Sequence, residues 1–458
     1  MAEAAVGAPG TEPRYESDFS FRKIKLATII TMANMFATSL LPFGAITLVN
    51  VPMTQEFGWS QTQYSWAMTA LMWCGAVTLP FYGRFMDKMG VRLPILFGTV
   101  GVALATMAIG FIDGALWQFY LCFALLGIFG STAIGYTKIV SALFTQHRGK
   151  AMALLGIEST LAGAGIPPLL NWLISDFGWR EMFIICGCIV LALIPLIYFT
   201  MDEPGEIRSD RRLFKPKAEV PVDRAATLEG LTEKQIVRDR IFWLIVIATI
   251  IGTAPRMGMM PFLVPMLNEK GFTQADAVTY MSITTLIAPF GTLIGGWAVD
   301  RFNNSRVAVP FQLVSLLGLF LFTLVTASFG GWYVLGIAVG LGGFAFGTAR
   351  PIGTYLHVRF FGLKAFGFYH GFENMFLAFA MGASPPVVAW LFESSGSYTS
   401  SYIIMLVSLA IGTVLYWLLG PYRYAANIGA VALPAEGAEA EPVAAPLAHG
   451  GQPAPAAG

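Results

Sequence analysis

The sequence predicts an all-α, polytopic membrane protein with twelve transmembrane helices in two six-helix bundles. Three observations carry that prediction. Hydrophobic residues make up 56% of the 458 positions and charged residues only 12%, where a soluble domain carries about 25% charged residues. Apolar runs of roughly 20 residues, the length that crosses a bilayer core, recur twelve times along the chain. The chain also repeats itself: Val51-Pro52-Met53-Thr54-Gln55-Glu56-Phe57-Gly58 returns 213 positions later as Val264-Pro265-Met266-Leu267-Asn268-Glu269-Lys270-Gly271. A repeat unit of that length means two homologous halves rather than a solenoid.

The first span, 27–51, is retained rather than cleaved. It follows a polar stretch holding Glu3, Glu12, Glu16 and Asp18, and no small-residue cleavage site ends a short apolar core. Spans at 64–82, 93–112, 116–144, 150–174 and 182–200 complete the first bundle; those at 241–266, 275–298, 307–328, 331–358, 366–391 and 401–421 form the second. Pro167-Pro168 and Pro385-Pro386 sit in the fifth and eleventh spans and should kink both. Cys74, Cys122, Cys186 and Cys188 all lie in apolar segments and read as small buried hydrophobes. The expected organisation is a disordered 1–20, a bundle at 21–200, a charged linker at 201–240, a bundle at 241–422 and a low-complexity, disordered tail at 423–458.

Charge placement orients the chain. If both termini share a side, the loops on that side carry Arg22, Lys23, Lys25, Arg84, Lys88, Arg92, Arg148, Lys150, Arg301, Arg306, Arg359, Lys364, Arg423 and the basic linker, whereas the opposite loops hold only Arg180 and Lys270. The positive-inside rule then places both termini in the cytoplasm of a multi-pass cell-membrane protein, the inner membrane if the source is Gram-negative.

The loop after the second span reads Gly83-Arg84-Phe85-Met86-Asp87-Lys88-Met89-Gly90-Val91-Arg92, and the loop after the eighth keeps Gly296, Asp300 and Arg301. Here the chain resembles the major facilitator superfamily. Phe57-Gly58-Trp59-Ser60, Arg148-Gly149-Lys150-Ala151, Gly178-Trp179-Arg180 and Arg359-Phe360-Phe361-Gly362 look more narrowly like its monocarboxylate porter and oxalate/formate antiporter branch. The resemblance implies a close helix approach at Gly83. It also implies a conformational latch made by Asp87, Lys88 and Arg92, with a weaker copy at Asp300 and Arg301.

Lys138, Glu158, Arg256, Arg350 and Glu373 fall inside predicted spans, where a charge costs about 2.5–3.5 kcal/mol at the bilayer centre and usually faces a cavity. Lys138 with Glu158 and Arg350 with Glu373 are possible pairs, and fixed braces within each half are the competing reading. Three cations against two anions leave one positive charge for an anionic ligand. Arg350, in the Pro- and Gly-weakened tenth span, is the first choice as anion ligand, with Lys138 and Arg256 beside it. Arg256 lies nearer the outer end, so a gate or a snorkelling role competes there. Tyr136, Tyr355 and Trp73 are candidates for an apolar wall. Glu373, Glu158 and His370 are candidates for proton coupling; His357 could also move protons, but close to the cytoplasmic mouth it reads rather as a satisfied interfacial histidine.

These features point to a secondary transporter that moves a small organic anion, a carboxylate, by alternating access, with protons as the candidate coupling ion. Anion exchange, efflux of an amphiphilic compound and a transporter-like receptor are the competing readings. No G-x-x-x-x-G-K-[ST] loop and no nucleophile, base or metal constellation is present, so neither an enzyme, a cofactor, a metal nor a nucleic-acid partner is expected. The lipid bilayer and the substrate are the expected partners of a chain functioning as a monomer.

Overall fold

The computed structural model describes residues 21–37, 40–132, 135–136, 139, 148–200, 230–302, 304–328, 331–362 and 364–423; at 22, 23, 37, 40–43, 87, 88, 148–159, 161, 200, 300, 350 and 366–368 it gives the backbone alone. Regular structure among these residues is helical, apart from isolated bridge residues such as the pair Gly230 and Gly362. Eight helical stretches are long and apolar enough to cross a membrane, and Ile24–Phe36 and Leu116–Gly130 are shorter apolar helices. Lys138, both chain ends and most of the predicted linker lie outside the described residues.

The first predicted span is divided into α1 (Phe21–Ala37), α2 (Leu40–Leu48) and α3 (Asn50–Phe57). Pro42 falls in the first turn of α2, where its missing N–H costs no hydrogen bond. The rest of the half is α4 (Gln61–Met89), α5 (Arg92–Ile109), α6 (Leu116–Gly130), α7 (Arg148–Phe177) and α8 (Trp179–Thr200). After the short α9 (Glu233–Arg238), the second half follows as α10 (Arg240–Met259), α11 (Leu263–Glu269), α12 (Gln274–Arg301), α13 (Ala308–Leu324), α14 (Gly331–Phe361), α15 (Phe366–Ser395) and α16 (Thr399–Trp417).

The repeat dictates local structure twice. Ser60 and Gln63 form a capping box that starts α4; 213 positions on, Thr273 and Asp276 do the same for α12. Each box satisfies two of the backbone donors that a helix start leaves open. In the first half α4 packs on α6, and in the second α12 packs on α14. Both contacts depend on a glycine: a Cβ at Gly127 would lie 2.2 Å from the Leu71 carbonyl oxygen, and one at Gly343 would lie 2.4 Å from that of Thr284. Glycine inside a helix costs about 0.5–1 kcal/mol relative to alanine, so these positions trade helix propensity for backbone approach.

The halves meet away from the termini. There Thr47 Oγ1 donates to the Met260 carbonyl at 3.1 Å, Thr69 Oγ1 to Gly382 at 2.6 Å and Ser282 Oγ to Ala164 at 2.8 Å. Trp73 Nε1 donates to the Phe379 carbonyl at 3.0 Å, while Gln274 Nε2 donates to Asn171 Oδ1 at 2.9 Å. At the far rim Glu393 accepts the Thr62 N–H and hydroxyl, both at 2.8 Å, placing a carboxylate at the positive N-terminus of α4. Buried apolar residues tell the same story. On the far side one cluster takes in Met53, Tyr64 and Phe119 from the first half and Phe262, Met266 and Tyr398 from the second. Toward the termini the halves have separate clusters, one around Ile30, Tyr82 and Ile95 and the other around Phe242, Leu356 and Phe360. Among the described residues, therefore, the halves share a core on the far side and have separate cores toward the termini.

Candidate functional site

Between the halves, on the closed side, lies a cavity of about 330 Å³, within the range of small-molecule sites. Gly44 of α2 and Ala162, Gly163, Ile166 and Pro167 of α7 supply its first-half wall. The second-half wall comes from α10 to α14 and α16, and is rich in sulfur: Met257, Met259, Met260, Met266, Met281 and Met405. Methionine is unbranched and polarizable, so this wall can adapt to flat or irregular apolar bodies.

Arg256 is the one formal charge among the described lining residues. Its direction follows from the packing of α10. Ala254 and Gly258, one turn apart, face α15, where Ser384 Oγ donates to the Ala254 carbonyl at 2.5 Å. A Cβ at Gly258 would lie 2.5 Å from that hydroxyl oxygen. Residue 256 then projects to the opposite side of the helix. Its Nη1 donates to the Gly342 carbonyl of α14 at 3.2 Å, and its guanidinium carbon lies 4.8 Å from the Phe346 ring centroid. Neither contact supplies a countercharge. Tyr280 of α12 lines the same space, while Thr284, Thr285 and Ser315 add hydroxyls. A cation, a few hydroxyls and an apolar wall can hold a small organic molecule that bears one negative charge.

The snorkelling expected as one reading of Arg256 is corrected: its head turns inward, to a carbonyl of the facing helix. Arg350 lies on α14, one turn beyond Phe346, but its side chain, like those of Glu158, Asp87, Lys88 and Asp300, is not among those described. Tyr136 and Tyr355 do not line this cavity. Tyr136 is buried in the terminal-side cluster of the first half. Tyr355 accepts from Arg359 Nη1 at 2.6 Å, and its ring meets Tyr422 edge-on. Trp73 is spent on the contact between halves. At Gly83 the implied close approach is absent in this conformation, since a Cβ there would meet nothing within 4 Å among the described residues. Arg92 donates to the Tyr198 carbonyl and lies 4.4 Å over the Tyr198 ring, within its own half, and Arg301 is exposed.

Glu373 and His370 lie elsewhere, near the terminal ends of α14 and α15. The Glu373 carboxylate is 3.2 Å from His357 Nε2 and 4.0 Å from His370 Nδ1. His357 is more deeply buried than a mouth residue would be: it is 2% exposed, its Nε2 meets the Glu373 carboxylate without hydrogen-bond geometry, its Nδ1 has no hydrogen-bond partner, and its ring packs beside Tyr369. Sequence reasoning missed Tyr280 and the sulfur-rich wall, and it singled out His357 without its partner Glu373. The run Met257-Gly258-Met259-Met260 is a usable signal for the wall; nothing local marks Tyr280.

Comparison with known proteins agrees with this architecture. A bacterial homologue of the human lysosomal transporter Spinster, solved in an inward-facing and unoccupied conformation, superposes with a TM-score of 0.66 at 14% identity, covering 87% of this chain and 95% of that one. The gallate transporter of Pseudomonas putida is 22% identical over 315 residues, 64% of this chain and 68% of its own length. The D-galactonate transporter of Escherichia coli O6:H1 is 22% identical over 303 residues, 62% and 69% of the two chains. The model of the Major Facilitator Superfamily matches residues 27–342, and with that match covering well over half its length, this chain belongs to the Major Facilitator Superfamily and is a transporter rather than an enzyme.

Proposed function

We propose that this transporter carries a small organic monocarboxylate with an apolar or aromatic body, by alternating access, and that Arg256 holds the carboxylate. One observation carries the reading: a guanidinium faces a cavity in which no acidic residue is found among the described lining residues. A desolvated cation without a countercharge is costly, and a bound carboxylate removes that cost through a charge-assisted hydrogen bond. Arg350, on the helix that supplies Gly342 and Phe346, is the second cation we assign to the anion's path. Two relatives named for gallate and D-galactonate transport support an organic acid as cargo. The wall favours the aromatic kind, because each sugar hydroxyl left unpaired against methionine would cost about 1–3 kcal/mol.

The separate terminal-side cores and the joined far side support a reading of alternating access. The basic loops favour cytoplasmic termini, and on that reading this conformation faces inward. With no nucleotide-binding loop in the sequence, transport draws on a gradient. The apolar wall also favours a second reading, export of an amphiphilic compound; accumulation in whole cells separates the two by direction.

Thermal-shift measurements on the purified protein with aliphatic, aromatic and polyhydroxylated acids test the reading. Aromatic monocarboxylates should raise the melting temperature of the wild type, and Arg256→Gln should remove most of that shift; Arg350→Gln reports on the second cation. Equal stabilisation of wild type and Arg256→Gln refutes the anchor. Uptake into proteoliposomes with and without an acidified exterior then reads the driving ion, since proton symport requires the imposed gradient to accelerate uptake.

A further inference from the structure

Outside the substrate cavity, the terminal ends of α14 and α15 bring two imidazoles and a carboxylate together. We propose that His357 Nε2, His370 Nδ1 and Glu373 form a binding site for a divalent transition-metal ion of the zinc class. One ligand atom from each residue lies within 4.8 Å of the other two. The carboxylate oxygen is 3.2 Å from His357 Nε2 and 4.0 Å from His370 Nδ1. Bonds of about 2.0–2.1 Å in a tetrahedral site put ligand atoms roughly 3.3–3.4 Å apart, so one edge already has the required length and the others need only contract.

Burial gives the cluster a reason to take a ligand. His357 is 2% exposed and Glu373 5% exposed, yet His357 Nε2 meets only the Glu373 carboxylate and without hydrogen-bond geometry. A buried imidazole nitrogen and carboxylate in that condition carry a desolvation penalty that a metal bound between them lowers. His370, with 43% of its side chain exposed, opens the site to the solvent side. Thr249 lies beside the Glu373 carboxylate, and the Tyr416 hydroxyl is 3.1 Å from that of Thr249, polar groups that could form an outer layer around a metal-binding carboxylate. Two imidazoles with one carboxylate favour zinc, cobalt or nickel over magnesium and calcium, which prefer all-oxygen sites. Three protein ligands leave a position for water.

The site does not depend on the proposed substrate, since neither histidine nor Glu373 lines the Arg256 cavity. Co2+ is the probe, because tetrahedral coordination gives it intense visible d–d absorption. Full-length protein freed of any histidine tag should bind one Co2+ with that signature, and Zn2+ should bleach it. His357→Ala and Glu373→Gln, checked for monodispersity by size-exclusion chromatography, should each weaken Co2+ binding at least about 100-fold, while His147→Ala and His449→Ala leave it unchanged. If either of the first two fails to fold, His370→Ala on the exposed rim serves in its place with the same expected loss. No tetrahedral band, or a band that survives loss of these ligands, overturns the proposal and leaves the cluster as a proton-sharing pair.

Discussion

The two halves make the same far-side clamp and then diverge at the cavity. In the first half Glu56 accepts from Trp179 Nε1 at 2.8 Å and from Arg180 Nη1 at 2.5 Å. In the second its repeat partner Glu269 accepts from Ser397 Oγ at 2.7 Å and from the Tyr398 N–H at 3.3 Å. Each carboxylate ties the end of the first repeat helix to the turn before the last. The far-side cations are absorbed the same way: Arg180 by Glu56, and Lys270 by the Thr323 and Val325 carbonyls at 2.9 and 3.1 Å. Arg256 and Tyr280, by contrast, stand where the first half has Phe43 and Ala67, 213 positions earlier. Duplicated residues hold the scaffold; residues that broke the duplication make the cavity.

That contrast can be broken from its strongest side first. Arg256→Gln should weaken binding of an aromatic monocarboxylate about 30-fold or more, the 2–5 kcal/mol range for removing one partner of a buried charge pair, as read by calorimetric titration. Unchanged affinity would mean that the asymmetric position is not the site. The shared scaffold should respond less and equally in both halves. Gly127→Ala and Gly343→Ala each force a Cβ against a carbonyl oxygen and should cost about 1–3 kcal/mol of stability, measured by denaturation in detergent; a large effect in one half only would show that the repeat contacts are not equivalent.

The far rim separates a charged contact from a neutral one. Glu393→Gln replaces the carboxylate on the α4 N-terminus, and at this exposed position the loss should be about 1 kcal/mol. Far-side labelling of a cysteine placed in the α4 and α15 seam should then speed up by about fivefold, a factor that 1 kcal/mol corresponds to. The neutral Gln274 to Asn171 contact, cut by Gln274→Ala, should change the labelling rate less.

The smallest effect concerns pH. Burial alone would raise the Glu56 carboxyl, but the hydrogen bonds and charge of Arg180, with the Trp179 hydrogen bond, outweigh it and hold the carboxyl below its ordinary value of 4.5. A depressed carboxyl contributes stability that is present above its unfolded value and lost as pH falls through the folded one. Melting temperature should therefore drop more steeply below about pH 4.5 in the wild type than in Glu56→Gln. Identical acid limbs would show that this clamp carries no linkage.

Much of the scaffold was legible because its causes are local. The repeat, the apolar run lengths and the capping residues Ser60 and Thr273 need no knowledge of neighbours. The site was legible only in part. Arg256 stood out as a charge in an apolar run, but its direction depends on Gly258 seating against Ser384, a contact 126 positions away in the chain. His357 shows the same limit: its distance from a helix end points to the mouth, and only the packing of α14 on α15 reveals that it is buried against Glu373. Gly83 shows the converse, a motif residue for which a Cβ would meet nothing within 4 Å among the described residues.

Counterflow in proteoliposomes tests the central claim most directly. Vesicles loaded with an aromatic monocarboxylate that stabilises the wild type should accumulate the labelled acid transiently, and Arg256→Gln, reconstituted to equal density and shown to be folded, should not. Counterflow of equal rate and extent in both proteins would contradict the assignment of the cavity as the substrate site.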